Sequence, residues 1–513
     1  MRYTGGMKRT TRTFLFSFFM ALFVVVTPVI IAYSQGYRID FAHARIVETG
    51  ALYLEPRPAP ADLYLNGKLR KRSNVLFQNI FVSNLLPRAY HIEIKKEGYV
   101  TWGKNLSVSP RLVTELKNIL LFKNQYTPSV IFQYAENFSL SPSKNKLVFV
   151  KTSDTPEMYL TVSPHGSLGE AGGESKESRL ILKASNQFLN YRVSSILWNQ
   201  DETLLLVALA PLAKANGEKN SRAFPEWMAI NLQDQNPEAI DLTQLIHNSN
   251  EFAVYAKNLP AAKIDNLQWS KDGNSKIFFT VFDKNFGTLP SYLFLYDLET
   301  KQMSSPLAYD VLLYAPTEAS KILYVSSFLA TIHLLDQRTL EVQQVSFAAP
   351  AQITPVSSVS FIDTGLLLLM IDKNLYLLNL NEKIPNVQKL ADEVISALVS
   401  SDKKRLLIAT KDSLIIRWLR DVHVQPFHDV GESVSLLPAK SLPIFDALWL
   451  TKDNEHVLFS DQNSIKVTEL DGRGERNTAT LVDNIQATHL SYDESRDIVY
   501  YLARNTLYFI SLK

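Results

Sequence analysis

Nine histidines and no cysteine limit the chemistry this chain can carry. Without cysteine there are no disulfides, thiolate zinc sites, iron–sulfur clusters or thiol nucleophiles. His423 and His428 beside Asp429 are the one close cluster of metal-ligand types. Their spacing of five sends the two imidazoles to opposite faces of a strand, and no His-Glu-x-x-His helix occurs, so they read as surface-loop residues. Gly166-Ser167-Leu168-Gly169-Glu170-Ala171-Gly172-Gly173 has the glycine density of a nucleotide loop. It lies in a Ser/Gly/Glu-rich stretch from Ser163 to Ser178 that opens no helix, and reads as an insertion. No Gly-x-Ser-x-Gly turn offers a serine nucleophile elbow. No catalytic, cofactor or metal residue is therefore assigned. Lys68, Arg70, Lys71 and Arg72 form a basic cluster that reads as a solvated hairpin tip. Fifty-three Lys+Arg against 51 Asp+Glu is too balanced for a dedicated nucleic-acid binder. At 513 residues and 46% hydrophobic the chain has the material for sizeable cores, and the question becomes which elements build them.

The first element is apolar. Arg2, Lys8, Arg9 and Arg12 precede an uncharged run from Phe14 to Tyr33. Such a run makes a helix of roughly 30 Å, the hydrocarbon thickness of a bilayer. Pro28 near its far end is tolerated in lipid. The basic flank predicts residues 1–13 as a cytoplasmic tail, 14–33 as a single-pass signal-anchor in the cell membrane, and the bulk of the chain as extracytoplasmic. The alternative is a cleaved signal peptide with Ala32-Tyr33-Ser34 as its site, although the run exceeds the usual core of roughly 7–15 residues.

Residues 46–122 change to short alternating strands. Asp62-Leu63-Tyr64-Leu65 leads into Asn66-Gly67, the dipeptide of a type I′ hairpin, and Tyr90 to Ile94 alternates again before Gly98. A compact β-sandwich is expected. The string from Pro58 to Lys68, with Leu86-Pro87-Arg88-Ala89-Tyr90-His91-Ile92 and Lys96-Glu97-Gly98-Tyr99-Val100-Thr101-Trp102, resembles a PEGA domain. That resemblance implies a non-enzymatic module of bacterial and archaeal surface proteins.

Residues 129–513 repeat. A polar turn and an apolar strand follow Leu140, Trp198, Trp269, Leu313, Phe361, Val399, Trp449 and Leu490, a mean interval of 50 residues. A second apolar strand follows each: Met158–Val162, Trp227–Leu232, Tyr292–Asp297, Ile332–Asp336, Leu375–Leu380, Leu414–Trp418, Ile465–Leu470 and Leu507–Leu512. This periodicity predicts a β-propeller, with eight blades expected and seven as the alternative. The shared position of Trp198, Trp269 and Trp449 points to packing between blades. The last copy lacks a fourth strand, so Ser129–Tyr134 is expected to pair beside Leu507–Leu512 and close the ring. Trp269-Ser270-Lys271-Asp272-Gly273 resembles the turn of the Tol-system translocation propeller and its relatives, which implies a surface for partner proteins.

The chain is thus expected to be mainly β: an anchor helix, a PEGA-like sandwich and a propeller. Two function classes follow. One is a scaffold whose propeller docks an envelope protein or cell-surface glycan. The other is a surface hydrolase or lyase with a dispersed site in the propeller channel, which converging carboxylates or histidines would favour. On the face bearing B–C loops and connections between blades, long segments around Ala210–Glu226, Ile246–Ile264 and Phe282–Ser291 bring together Lys214, Lys219, Arg222, Tyr255, Lys257 and Phe286. This mix of cations and aromatics is the expected partner-binding sector. No cofactor is expected.

Overall fold

A computed structural model describes residues 9–41, 43–74, 78–162, 178–212, 225–256, 262–283, 291–317, 320–326, 331–345, 356–363, 365–371, 373–380, 382, 387–437 and 443–513. The chain divides into two compact units: residues 1–125 with the later segments Asp421–Asp429 and Thr468–Ala479, and the remainder.

The first unit opens with a helix, Arg9–Ser34, that contains Pro28 and buries none of its residues. It is long and apolar enough to cross a membrane. Two sheets follow. One orders Ile80–Leu85, Gly50–Arg57 and Val113–Leu120; the other orders Lys68–Arg72, Asp62–Leu65, Ala89–Lys95 and Trp102–Ser107. Alternation puts Leu52, Leu54 and Leu116 of the first sheet and Leu63, Leu65, Ile92 and Ile94 of the second into one shared core. Asn66 and Gly67 both have positive φ, as the type I′ turn between Asp62–Leu65 and Lys68–Arg72 requires. One outer strand of each sheet is met by a side-chain amide from the later segments. Gln425 accepts from Glu115 N at 3.1 Å and donates to Val113 O at 3.0 Å, while Asn477 makes the same exchange with Gly103, 3.1 Å each way. On one of these edge strands Lys104 is fully buried, its Nζ 2.7 Å from Glu469 Oε1 and donating to Asp471 O at 2.5 Å; the Trp102 indole donates to Glu469 Oε2 at 2.9 Å.

The second unit is a β-propeller. Among the described residues it holds eight sheets, each an antiparallel series whose strands we letter A to D. The A strands are Ala135–Leu140, Tyr191–Trp198, Ala262–Trp269, Val311–Pro316, Val356–Asp363, Val394–Val399, Ile444–Trp449 and Thr488–Asp493. Successive sheets share hydrophobic clusters or lie in contact. The last sheet packs on the first through Tyr500 and Leu502 against Phe138 and Phe149. Ser129–Gln133 supplies the fourth strand of that last sheet, pairing Ser129 with Phe509 and Gln133 with Thr506. The expected closing strand is therefore present. The repeated sequence element is the A–B hairpin, and the second repeated strand is C in every sheet.

At three of the hairpins the polar residue after the A-strand anchor braces the turn. Ser141 and Ser400 accept through Oγ from the backbone N–H of Lys146 and Arg405, and Asn199 accepts through Oδ1 from that of Leu204. These turns also link adjacent sheets. Arg496 donates to Lys144 O at 2.9 Å, Ser143 to Glu202, Asn199 to Asn274 O and Ser401 to Asn454. The opposite end of the A strands carries a regularity the sequence did not announce. In all eight A–B pairings the register shifts, seven times close to the start of the A strand, the mark of a β-bulge.

Candidate functional site

Antiparallel order puts the starts of the A strands, the B–C turns and the D–A connections on one face. On that face lies a polar bowl of about 850 Å³ within the propeller unit. Ala135, Glu136, Arg192 and Thr488 come from A strands, Gln462, Asn463, Arg504 and Asn505 from B–C turns, and Asn484, Ile485 and Gln486 from the connection before the last sheet. The rim is tied by backbone bonds: Ile485 N donates to Asn463 O at 3.0 Å and Ala135 N to Asn505 O at 2.9 Å.

Glu136 is the carboxylate in this lining. Burial pushes its carboxyl above the usual range, against the pull of the Arg192 guanidinium 3.9 Å away. Asp446, on the A strand of the seventh sheet, is also raised by burial, but it accepts from Leu490 N and Ala447 N and so ties two sheets together. Among the described residues no three His, Asp or Glu side chains converge as a metal site. His428 instead forms a short backbone bridge with Val422.

Of the expected partner-binding residues, Lys214, Lys219, Arg222, Lys257 and Phe286 lie outside the described residues. Tyr255 lies on a short helix, Asn250–Ala256, and packs edge-on to Phe294 with ring centroids 5.2 Å apart. It is thus part of a blade's packing rather than of an open loop. The segment around Ile246–Ile264 differs likewise. Its helix Leu242–His247, capped by Asp241, joins Asn250–Ala256 in burying Leu242, Ile246 and Phe252 against the second and third sheets. The bowl shares the expected face but is assembled from the seventh, eighth, first and second sheets. The tryptophans pack as expected: Trp269 Nε1 donates to Leu197 O at 3.0 Å, Trp449 Nε1 to Leu398 O at 2.8 Å, and Trp198 Nε1 to Ser139 Oγ at 3.0 Å, each reaching the preceding A strand.

The class these sheets define is the β-propeller. No family model matches the sequence, and no curated protein matches it. Solved structures of similar fold include the Dos1 propeller, 13% identical over 75% of this chain and 96% of that one, with a TM-score of 0.45. Ycf48 from Cyanidioschyzon merolae is 10% identical over 63% of this chain and 96% of its own, with a TM-score of 0.38. Kluyveromyces lactis Hsv2 is 12% identical over 49% and 75%, with a TM-score of 0.31. The fold assignment stands on the strand order described above.

Proposed function

We propose that this chain is a membrane-anchored, extracytoplasmic scaffold whose eight-bladed propeller is a docking platform for an envelope protein or cell-surface glycan. The observation that carries the reading is the polar bowl held open on a ring whose inner strands are pinned to one another. A rigid ring offering unpaired polar groups at one mouth suits recognition, because little order has to be gained on binding. Helix Arg9–Ser34 supports the anchoring half: about 40 Å long by its 26 residues, with Arg9 and Arg12 at its start for the cytoplasmic side. In this reading the sandwich around Asn66-Gly67 is a PEGA-like stalk, and the propeller is akin to Tol-system propellers. Lys214, Lys219, Arg222, Tyr255, Lys257 and Phe286 are proposed as a second set of partner contacts.

The test uses the full chain in spheroplasts with a photo-crosslinking residue at Gln486 in the bowl or at Asn145 on the opposite face. An adduct at Gln486 alone, digested by protease added outside, is expected. An adduct that survives until lysis would reverse the orientation, and equal adducts from both positions would remove the bowl as the docking site.

A further inference from the structure

Five of the bowl's described lining residues carry carboxamides: Gln462, Asn463, Asn484, Gln486 and Asn505. They come from three connections on this face, the last of which also carries Arg504. Among the described residues no hydrogen bond engages any of the five amide groups, and no hydrogen bond or ion pair engages Arg504. Arg192, by contrast, already faces Glu136.

A carboxamide offers the same donor and acceptor as a peptide group. This chain uses that equivalence on itself, where Gln425 and Asn477 pair with the backbone of edge strands in both directions. One carboxylate against two guanidiniums leaves the lining one positive charge in excess. A guanidinium matches a carboxylate with two parallel N–H donors. None of the described lining residues is aromatic, so a sugar ring has no flat face to pack on. A cavity of about 850 Å³ holds a short stretch of chain rather than a single side chain.

We propose that the bowl binds an extended polypeptide segment bearing an acidic side chain, its main chain held by the carboxamides and its carboxylate by Arg504. The inference rests on the reading of this face as a docking platform and assigns the partner's chemistry. A random-peptide phage library selected on the full chain in detergent should return sequences with an acidic residue at a fixed position. Those peptides should weaken about tenfold or more on Arg504→Gln and on the pair Asn463→Ala and Gln486→Ala, with circular dichroism and urea midpoints unchanged. Selected peptides that bind Arg504→Gln as tightly as the parent overturn the proposal. If a galacturonate oligomer binds through Arg504 while no peptide is selected, the docking face stands and the polypeptide assignment falls. If neither probe binds parent better than variant, both fall.

Discussion

Trp198, Trp269 and Trp449 close the A strands of three sheets, and each indole N–H reaches the preceding sheet. Trp269→Phe keeps most of the ring volume but leaves the Leu197 carbonyl without its indole donor. A loss of about 1–2 kcal/mol is expected in urea unfolding, with peptide binding at the bowl unchanged. Asp493 works at the same scale. It is fully buried and accepts from Ser495 N, Ser495 Oγ and the Arg496 guanidinium, which in turn clasps the first sheet. Burial pushes its carboxyl up, but the hydrogen bonds from Ser495 and Arg496 and the Arg496 charge outweigh this, and the net shift is down. A carboxyl whose folded pKa lies below its unfolded value stabilises above the unfolded value and loses that contribution as pH falls through the folded one. Asp493→Asn should therefore destabilise by about 1–3 kcal/mol at pH 7, and the loss should shrink progressively as pH falls below about 4, measured as urea midpoints across that range. The tryptophans were legible in the sequence because one residue type recurs at one position. The bulge at the other end of the A strands was not: Asn137, Ser195, Leu313 and Asp446 mark it with unlike residues, since a bulge constrains backbone more than side chain. The bowl was equally hidden, its lining residues being neighbours only after the ring closes.

At the scale of elements, the sandwich is finished by parts that arrive late in the chain. One outer strand of each sheet, the usual liability of a small sheet, is covered by Gln425 or Asn477. On one of these edge strands Lys104 is buried against Glu469, which also accepts from Asn477 N. Removing either charge alone strands the other, so Lys104→Met and Glu469→Leu should each cost about 3–5 kcal/mol, whereas the two combined should cost far less than their sum. A double-mutant cycle by urea unfolding reads this directly, and additive losses would contradict it. Hairpin turns and blade strands were legible because alternation and Asn-Gly chemistry are local. The cover on the sandwich edges was not, because Gln425 lies about 310 residues from the backbone it pairs with. Helices Leu242–His247 and Asn250–Ala256 escaped notice for another reason: two turns are too short for a 3.6-residue period to register.

For the molecule as a whole, Ser129–Gln133 decides whether the second unit is a ring or an open stack. Ile131 is buried between the last sheet and the first, and Phe132 lies against Phe149 with ring centroids 4.3 Å apart. Ile131→Ala should lower stability by about 2–5 kcal/mol. Deleting Ser129–Gln133 should leave Thr506–Ser511 as an unpaired edge that self-associates. Sedimentation velocity on the two variants separates the outcomes: a destabilised monomer for the first, concentration-dependent oligomers for the second. A monomeric, fully stable deletion would show that the ring does not need this strand.

Closure also sets a clock. Gln133 pairs with Thr506, about 370 residues later in the chain. At ribosomal speeds of roughly 5–20 residues per second, the closing strand emerges about 20–75 s before its partner exists. Through that interval Val130, Ile131 and Phe132 are an apolar strand with nowhere native to go, in a nascent chain that keeps adding strand edges. Its brevity, with polar Ser129 and Gln133 at the ends, limits mispairing. A holdase covering this segment should raise the yield of closed rings, and slower translation should increase the dependence on it.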